Sequence, residues 1–252
     1  MKPIRPLVPI IVVALGALTG ILYHRSSPQL PVPAIAVKLL WERQPGPARS
    51  LVHAAFSPDG RYVASTSDGR KLLLLDAATG VQIRSVQAQE GSFWQLTFSP
   101  DGAFLAASGR VSALLDVHTG KPARQLQPDD ASPSSFSPDG KLLVGVGKRV
   151  AVWDTSSGKI VRRLGRENDF VIGAAFSPDG TILAYGEHAM DGRDEVSRTH
   201  LWDVRRRKIV RTIDHVAGGY AFTPDGQTLA AHVIGAPVVR MWNVRTGKQL
   251  RA

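Results

Sequence analysis

The residue types able to do chemistry are dispersed along this chain. Its seven histidines fall at positions 24, 53, 118, 188, 200, 215 and 232. No HExxH, GxSxG or phosphate-loop spacing links them to a carboxylate, a hydroxyl or a glycine-rich turn. There is no cysteine, which excludes a thiolate zinc site, a disulfide framework and a cysteine nucleophile. One irregular stretch, GEHAMDGRDEVSRTH at 186–200, gathers His188, Asp191, Asp194, Glu195 and His200, donor types that can hold a divalent cation. The same letters also make a solvated hairpin tip whose charges keep an exposed edge soluble. The second reading is preferred, and no catalytic residue, metal or cofactor is expected.

A further set of carboxylates recurs with a period. FSPDG occurs at 56–60, 98–102, 136–140 and 176–180, and FTPDG at 222–226. A catalytic pair of carboxylates would break such symmetry, so the repeated Asp reads as turn chemistry. Proline presets φ at the second position of a tight turn, Asp tolerates the third and bonds nearby backbone, and Gly accepts a left-handed conformation. Strand-like runs flank the turn, LVHAAF before it and RYVAST after it, so the phrase predicts a β-hairpin.

A second phrase follows each hairpin: LLLLDAATG (72–80), SALLDVHTG (112–120), VAVWDTSSG (150–158), HLWDVRRR (200–207) and RMWNVRTG (240–247). Each is an apolar strand, an Asp or Asn that opens a turn, and usually Ser/Thr-Gly. A further strand comes after it: VQIRSVQ, KPARQL, KIVRRL, KIVRTI and KQLRA. Each unit of about 40 residues thus holds four short strands, and nothing from 35 onward carries a helical period. Such a period is the signature of a propeller blade. The phenylalanines at 56, 98, 136, 176 and 222 and the tryptophans at 153, 202 and 242 are the expected fillers between blades, each contributing roughly 4–6 kcal/mol gross at 25 cal/mol per Å².

These residues resemble the WD-repeat (WD40-type) β-propeller family in its bacterial FSPDG…LWD…TGK form. The Trp-Asp pair itself stands at Trp153-Asp154 and Trp202-Asp203. Leu75-Asp76, Leu115-Asp116 and Trp242-Asn243 replace it elsewhere, and the family's Gly-His pair is missing. The resemblance implies a non-enzymatic platform that binds proteins or peptides. Members usually close with seven blades, whereas five are counted here, at roughly 37–87, 88–127, 128–165, 166–213 and 214–252. IAVKLLWER (35–43) resembles a fourth strand without a blade of its own, so both ends look cut from a longer array. The expectation is an all-β propeller of about five four-stranded blades. An incomplete or open arc is favoured over a closed ring, and self-association would follow from an open one. In blade three Pro133 interrupts the first strand, and in blade four Arg207 stands where the turn wants Gly, at a cost of about 1 kcal/mol.

Residues 1–25 are of a different kind. Leu7–Tyr23 is an apolar run that as a helix would span about 25 Å, a little short of a hydrocarbon core of about 30 Å. Lys2 and Arg5 precede it, which favours a cytoplasmic N-terminus and an extracytoplasmic body. An uncleaved membrane anchor is favoured over a cleaved signal peptide, whose product would be secreted or periplasmic, and a buried soluble helix comes last. Residues 26–36, with Pro28, Pro31 and Pro33, read as an extended linker, and 37–252 as the propeller.

The formal net charge is +10, which suits anionic partners but also follows from an arginine-biased composition. Arg70, Arg110, Arg149, Arg193 and Arg198, with His188, Asp191 and Asp194, lie in hairpins that a propeller gathers on one rim. This rim is the candidate surface for a protein or peptide partner, an acidic one by its charge. Exposed aromatics among the basic residues are lacking, so no specific nucleic acid is expected. The competing class is an exported propeller enzyme, a lactonase or hydrolase with a central metal. The inner strands offer it only His53. A non-functional fragment of a longer repeat protein is the third reading.

Overall fold

The computed structural model describes residues 53–250, except 68–69, 89–92, 94, 110–111, 167–169, 192–193, 215–217 and 234–237, and except the side chains of 67, 189–191 and 194–196. The expected membrane segment and linker lie outside the described residues, as do Arg110 and Arg193. By contacts the chain divides into residues 1–38 and 39–252, and the account below concerns the second unit.

Every described element is a strand. Blade one comprises β1 (Ala54–Phe56), β2 (Tyr62–Ser67), β3 (Lys71–Asp76) and β4 (Gln82–Gln87). Blade two comprises β5 (Gln95–Phe98), β6 (Phe104–Ser108), β7 (Ala113–Asp116) and β8 (Pro122–Gln125). Blade three comprises β9 (Ser132–Phe136), β10 (Leu142–Val146), β11 (Val150–Asp154) and β12 (Ile160–Leu164). Blade four comprises β13 (Phe170–Phe176), β14 (Ile182–Asp191), β15 (Asp194–Asp203) and β16 (Lys208–Asp214). Blade five comprises β17 (Tyr220–Phe222), β18 (Thr228–His232) and β19 (Val239–Asn243). Each sheet is antiparallel with its strands in chain order. The fourth strand of blade five is reduced to a bridge between Trp242 and Gln249.

The SPDG turns form as their chemistry predicts. In blade one the Ser57 hydroxyl donates to Asp59 Oδ1 at 2.6 Å, Arg61 N–H donates to the same oxygen at 3.0 Å, and Tyr62 N–H donates to Ser57 Oγ at 2.9 Å. The set repeats at Ser99/Asp101, Ser137/Asp139, Ser177/Asp179 and Thr223/Asp225. The second turn uses the same logic: Asp76 Oδ1 accepts from Ala78 N–H, Thr79 N–H and the Thr79 hydroxyl at 2.7–3.1 Å. Hydrogen bonds to these carboxylates, from Ser57 first for Asp59 and from Thr79 first for Asp76, hold them below the ordinary aspartate range.

Blades stack through two transverse rows of side chains. One row faces the preceding blade: Phe98–Leu105–Leu115 in blade two, Phe136–Leu143–Trp153 in three, Phe176–Leu183–Trp202 in four and Phe222–Leu229–Trp242 in five. The other faces the following blade and is built small at the inner strands: Ala55–Ala64–Leu74, Thr97–Ala106–Leu114, Ser135–Val144–Val152 and Ala175–Ala184–Leu201. Leu74 and Ala64 meet Phe98 and Leu105, and the pattern repeats at each interface. The inner strands pack in the order β1, β5, β9, β13, β17. No such packing returns from β17 to β1 among the described residues, and the arc is open.

Two expectations need correcting in detail. Phe56 is not a filler: it is 59% exposed, whereas Phe98, Phe136 and Phe176 are 8–9% exposed. Phe98, Phe136 and Phe176 each lie under the preceding blade, and among the described residues none precedes blade one at Phe56. Pro133 does not prevent β9. It sits opposite Gly145 beside a register shift, on an innermost edge strand where a missing N–H costs no ladder bond. The Arg207 expectation holds, with φ of 56°, where the equivalent positions are Gly80, Gly120, Gly158 and Gly247 at φ of 69–71°.

Candidate functional site: the hairpin rim

Antiparallel alternation places the second-to-third-strand hairpins and the blade-to-blade links at one end of the blades, and the SPDG and Asp-opened turns at the other. The first end is the rim. Packing within blade three agrees with the grouping: a Cβ on Gly147, in its hairpin, would stand 2.9 Å from Ala131 Cα in the link that enters that blade.

Blade four dominates the rim. β14 and β15 pair over ten positions each, from Ile182↔Asp203 to Asp191↔Asp194, against four to six residues in the corresponding strands of the other blades. The root of this hairpin is clamped. His200 Nε2 lies 3.1 Å from Glu187 Oε2 and His200 Nδ1 lies 2.9 Å from Thr212 Oγ1, with the Tyr185 ring 5.2 Å away, centroid to centroid. The His200 and Glu187 side chains are 11% and 12% exposed. Burial first, and the Glu187 carboxylate second, push the Tyr185 hydroxyl well above its ordinary range. On the opposite face Thr199 Oγ1 meets the Tyr220 hydroxyl at 2.8 Å, and Gly218 N–H donates to that hydroxyl at 3.2 Å. Tyr220 belongs to blade five, so the root is held from both sides.

Higher on the hairpin, His188 Nδ1 lies 3.0 Å from Ser197 Oγ, and Arg198 Nε lies 3.5 Å from Asp214 Oδ1. Asp191 and Asp194 are backbone partners, the last pair in the ladder before the turn. Arg70 is exposed in the hairpin of blade one and Arg149 half-buried in that of blade three. The structure thus brings Arg198, His188, Asp191 and Asp194 together on one hairpin, with Arg70 and Arg149 on separate blades of the same end.

Sequence reasoning missed two acids of the rim, Asp129 and Asp130. Lys148 Nζ bonds Asp130 Oδ2 at 3.1 Å and Arg163 Nε bonds Asp129 Oδ2 at 2.9 Å. Both acids come from the link entering blade three, so the rim is mixed in charge there. This link also walls a cavity of about 320 Å³ with Ser112, Gln127, Asp129, Asp130, Ser132 and Trp153. Trp153 Nε1 donates to Gln127 O at 3.0 Å and Gln127 Oε1 accepts from Ile160 N–H at 2.9 Å. The signal in the sequence was the pair Asp129-Asp130 just before the inner strand, legible only once links and hairpins are known to share an end. Among the described residues no group of three or more histidines and carboxylates converges as metal ligands.

Four four-stranded units and a fifth of three strands and a bridge, stacked in an arc through rows of Phe, Leu and Leu or Trp, define a β-propeller architecture. The family model for the WD domain, G-beta repeat (WD40) matches residues 44–74 and 80–112. Its fold is similar to the crystal structure of the β-propeller domain of Cps50 (Swd1) from Myceliophteria thermophila, with a TM-score of 0.64 and 18% identity. The match covers 78% of this chain and 66% of that one, so this chain spans slightly less than two thirds of that domain. A comparison with curated proteins finds no match.

Proposed function

We propose that this protein is an interaction scaffold that binds a protein or peptide partner through the hairpin rim, with no chemistry of its own. The observation that carries the reading is the β14–β15 hairpin, ten positions long on each strand, whose root is fixed on both sides and which carries His188 and Arg198 beyond that root. Binding elements are commonly loops held by a rigid frame, and WD40 propellers generally serve as such frames. The partner is one with acidic groups for Arg70, Arg149 and Arg198, and the cavity beside Gln127 receives one of its side chains. The body is tethered by residues 1–25 as a membrane anchor, or released after cleavage, and lies on the extracytoplasmic side. The chain belongs to the bacterial form of the repeat.

A photo-crosslinker placed at position 189 and another at position 79, at the opposite end, tests the rim. The partner is expected to crosslink at 189 and not at 79, and the reverse result ends the proposal. Reporter fusions at the C-terminus test the orientation. Activity of an enzyme that folds only outside the cytoplasm is expected, and fluorescence of a cytoplasm-only reporter would contradict it.

A further inference from the structure

The turn that joins β15 to β16 runs through Arg205-Arg206-Arg207-Lys208, four consecutive cations, all exposed. It lies at the SPDG end of blade four, opposite the rim. Arg211, further along β16, donates to Arg245 O at 3.0 Å, which brings the turn of blade five alongside. Arg162 holds the Arg211 position one blade earlier, opposite Val152 as Arg211 is opposite Leu201, so by the repeat it faces the same turn from the other side. Arg162, Arg211 and Arg245 are exposed as well. Two features set this patch apart from the charged surface elsewhere. The first is that the chain leaves it unbalanced. At the rim Lys148, Arg163 and Arg198 each have a carboxylate partner. In this patch Arg206 alone is ion-paired among the described residues, 3.8 Å from Asp203 Oδ2, and Asp203 Oδ1 is already engaged by the Arg206 N–H at 2.7 Å. The second is strain. Arg207 sits at φ of 56°, where the other blades have glycine. Its side chain costs backbone energy that glycine avoids and adds a charge beside like charges. Residues held at such a cost cluster at functional positions. Two exposed aliphatics stand among the cations, Val161 at 51% and Ile209 at 47%.

From this arrangement we infer that the outer face of blades three to five docks on an anionic membrane surface through the lipid phosphates. Guanidinium groups bind phosphate oxygens in forked pairs. The cations are spread over the outer strands and turns of three successive blades, an extent that fits a plane of headgroups. The aliphatics between them suit the boundary between headgroups and acyl chains, which neither an acidic peptide nor a nucleic-acid backbone offers. The choice of occupant rests on the proposed tether by residues 1–25, which keeps a bilayer at hand. Docked in this way, the body turns its opposite end, the rim, toward a partner.

Because the chain has no cysteine, Ile209→Cys and, at the rim, Ala189→Cys can each carry one fluorescent dye. The full-length chain is mixed with vesicles of phosphatidylcholine alone or with about one third phosphatidylglycerol, both holding a trace of headgroup-labelled quencher lipid. Flotation with the neutral vesicles reports the tether by itself. The dye at 209 should be quenched at least about threefold more on the anionic vesicles than on the neutral ones. Salt at about 1 M should abolish the difference, and the dye at 189 should show none. Arg205→Gln, Arg206→Gln and Arg207→Gly together should weaken the docking by roughly fivefold per charge removed. The last of these also relieves the turn, so it loses a charge without straining the fold. Equal quenching at 209 on both vesicles, a difference that ignores salt or the three substitutions, or quenching at 189 instead overturns the inference. So does a dye at 209 that responds to poly-glutamate or to a nucleic-acid duplex and not to vesicles. A chain that docks on anionic vesicles but does not float with neutral ones removes the tether and upholds the docking face.

Discussion

Arg84 of blade one lies across Gly120 of blade two. Its guanidinium donates to Thr119 O at 3.1 Å and to His118 O at 2.7 Å, and a Cβ on Gly120 would collide with Arg84 Cδ. The relationship recurs between Arg211 and Gly247, where Arg211 donates to Arg245 O at 3.0 Å and a Cβ would stand 3.3 Å from Arg211 Cδ. The turn glycine thus has two jobs, a positive φ and clearance for the arginine of the preceding blade. Gly120→Ala is expected to cost about 1–2 kcal/mol from backbone strain alone, and more from the collision. In a double-mutant cycle by urea unfolding, Arg84→Ala with Gly120→Ala should cost less than the sum of the singles. Additive costs would mean that the two residues do not communicate.

Arg207 occupies that turn position in blade four with φ of 56°. Arg207→Gly relieves the left-handed penalty of about 1–2 kcal/mol, against an unfolded-state entropy term of about 0.4–1 kcal/mol. The melting temperature should rise by a few degrees at most. A fall would show that the arginine side chain contributes more than its backbone costs.

Phenylalanines that look alike in the sequence differ in worth. Phe136→Ala is expected to cost about 3–5 kcal/mol, as a buried aromatic does, while Phe56→Ala, 59% exposed, should cost under about 1 kcal/mol. Denaturant midpoints of the two variants separate the cases. Equal losses would place a covering element over Phe56.

The turn aspartates make the fold acid-sensitive in a defined direction. Asp59, Asp101, Asp139, Asp179 and Asp225 are held below their ordinary value, first by the hydroxyl of the Ser or Thr two residues before each. The unfolded chain therefore binds protons more readily than the folded one. The stabilisation is complete above the ordinary carboxylate range, near pH 4, and is lost as pH falls through the depressed folded values. Melting temperature followed from pH 6 to pH 2 should be flat and then drop. In a variant with Asp101→Asn and Asp139→Asn the drop should be smaller. An unchanged drop would assign acid unfolding to other groups.

The blades could be read from the sequence because their turns are local. Ser57 with Asp59, or Asp76 with Thr79, satisfies its own backbone within five residues, so the letters determine the shape wherever they occur. Burial is not local in this sense, which is why Phe56 was misread. The arginine contacts were hidden for a related reason. Arg84, Arg124, Arg162 and Arg211 recur at one position of the fourth strand, and an outer-strand arginine reads as solvent-facing until the next blade's turn is seen beneath it. The charged insertion was recognised as a longer hairpin. Its clamped root was not, because Glu187, His200 and Thr212 meet across three strands at separations only the register reveals.

Each SPDG proline rests on the glycine of the next such turn: Pro58 on Gly102, Pro100 on Gly140, Pro138 on Gly180 and Pro178 on Gly226, with 3.4–3.7 Å from proline Cδ to a Cβ built on the glycine. Every interior blade therefore presents the same plug to one neighbour and the same socket to the other. Nothing in this contact records a blade's rank. A genetic duplication or excision bounded by two successive Pro-Asp-Gly codons would rejoin plug to socket and yield a longer or shorter arc with this contact intact at every seam, so these turns do not fix the number of blades.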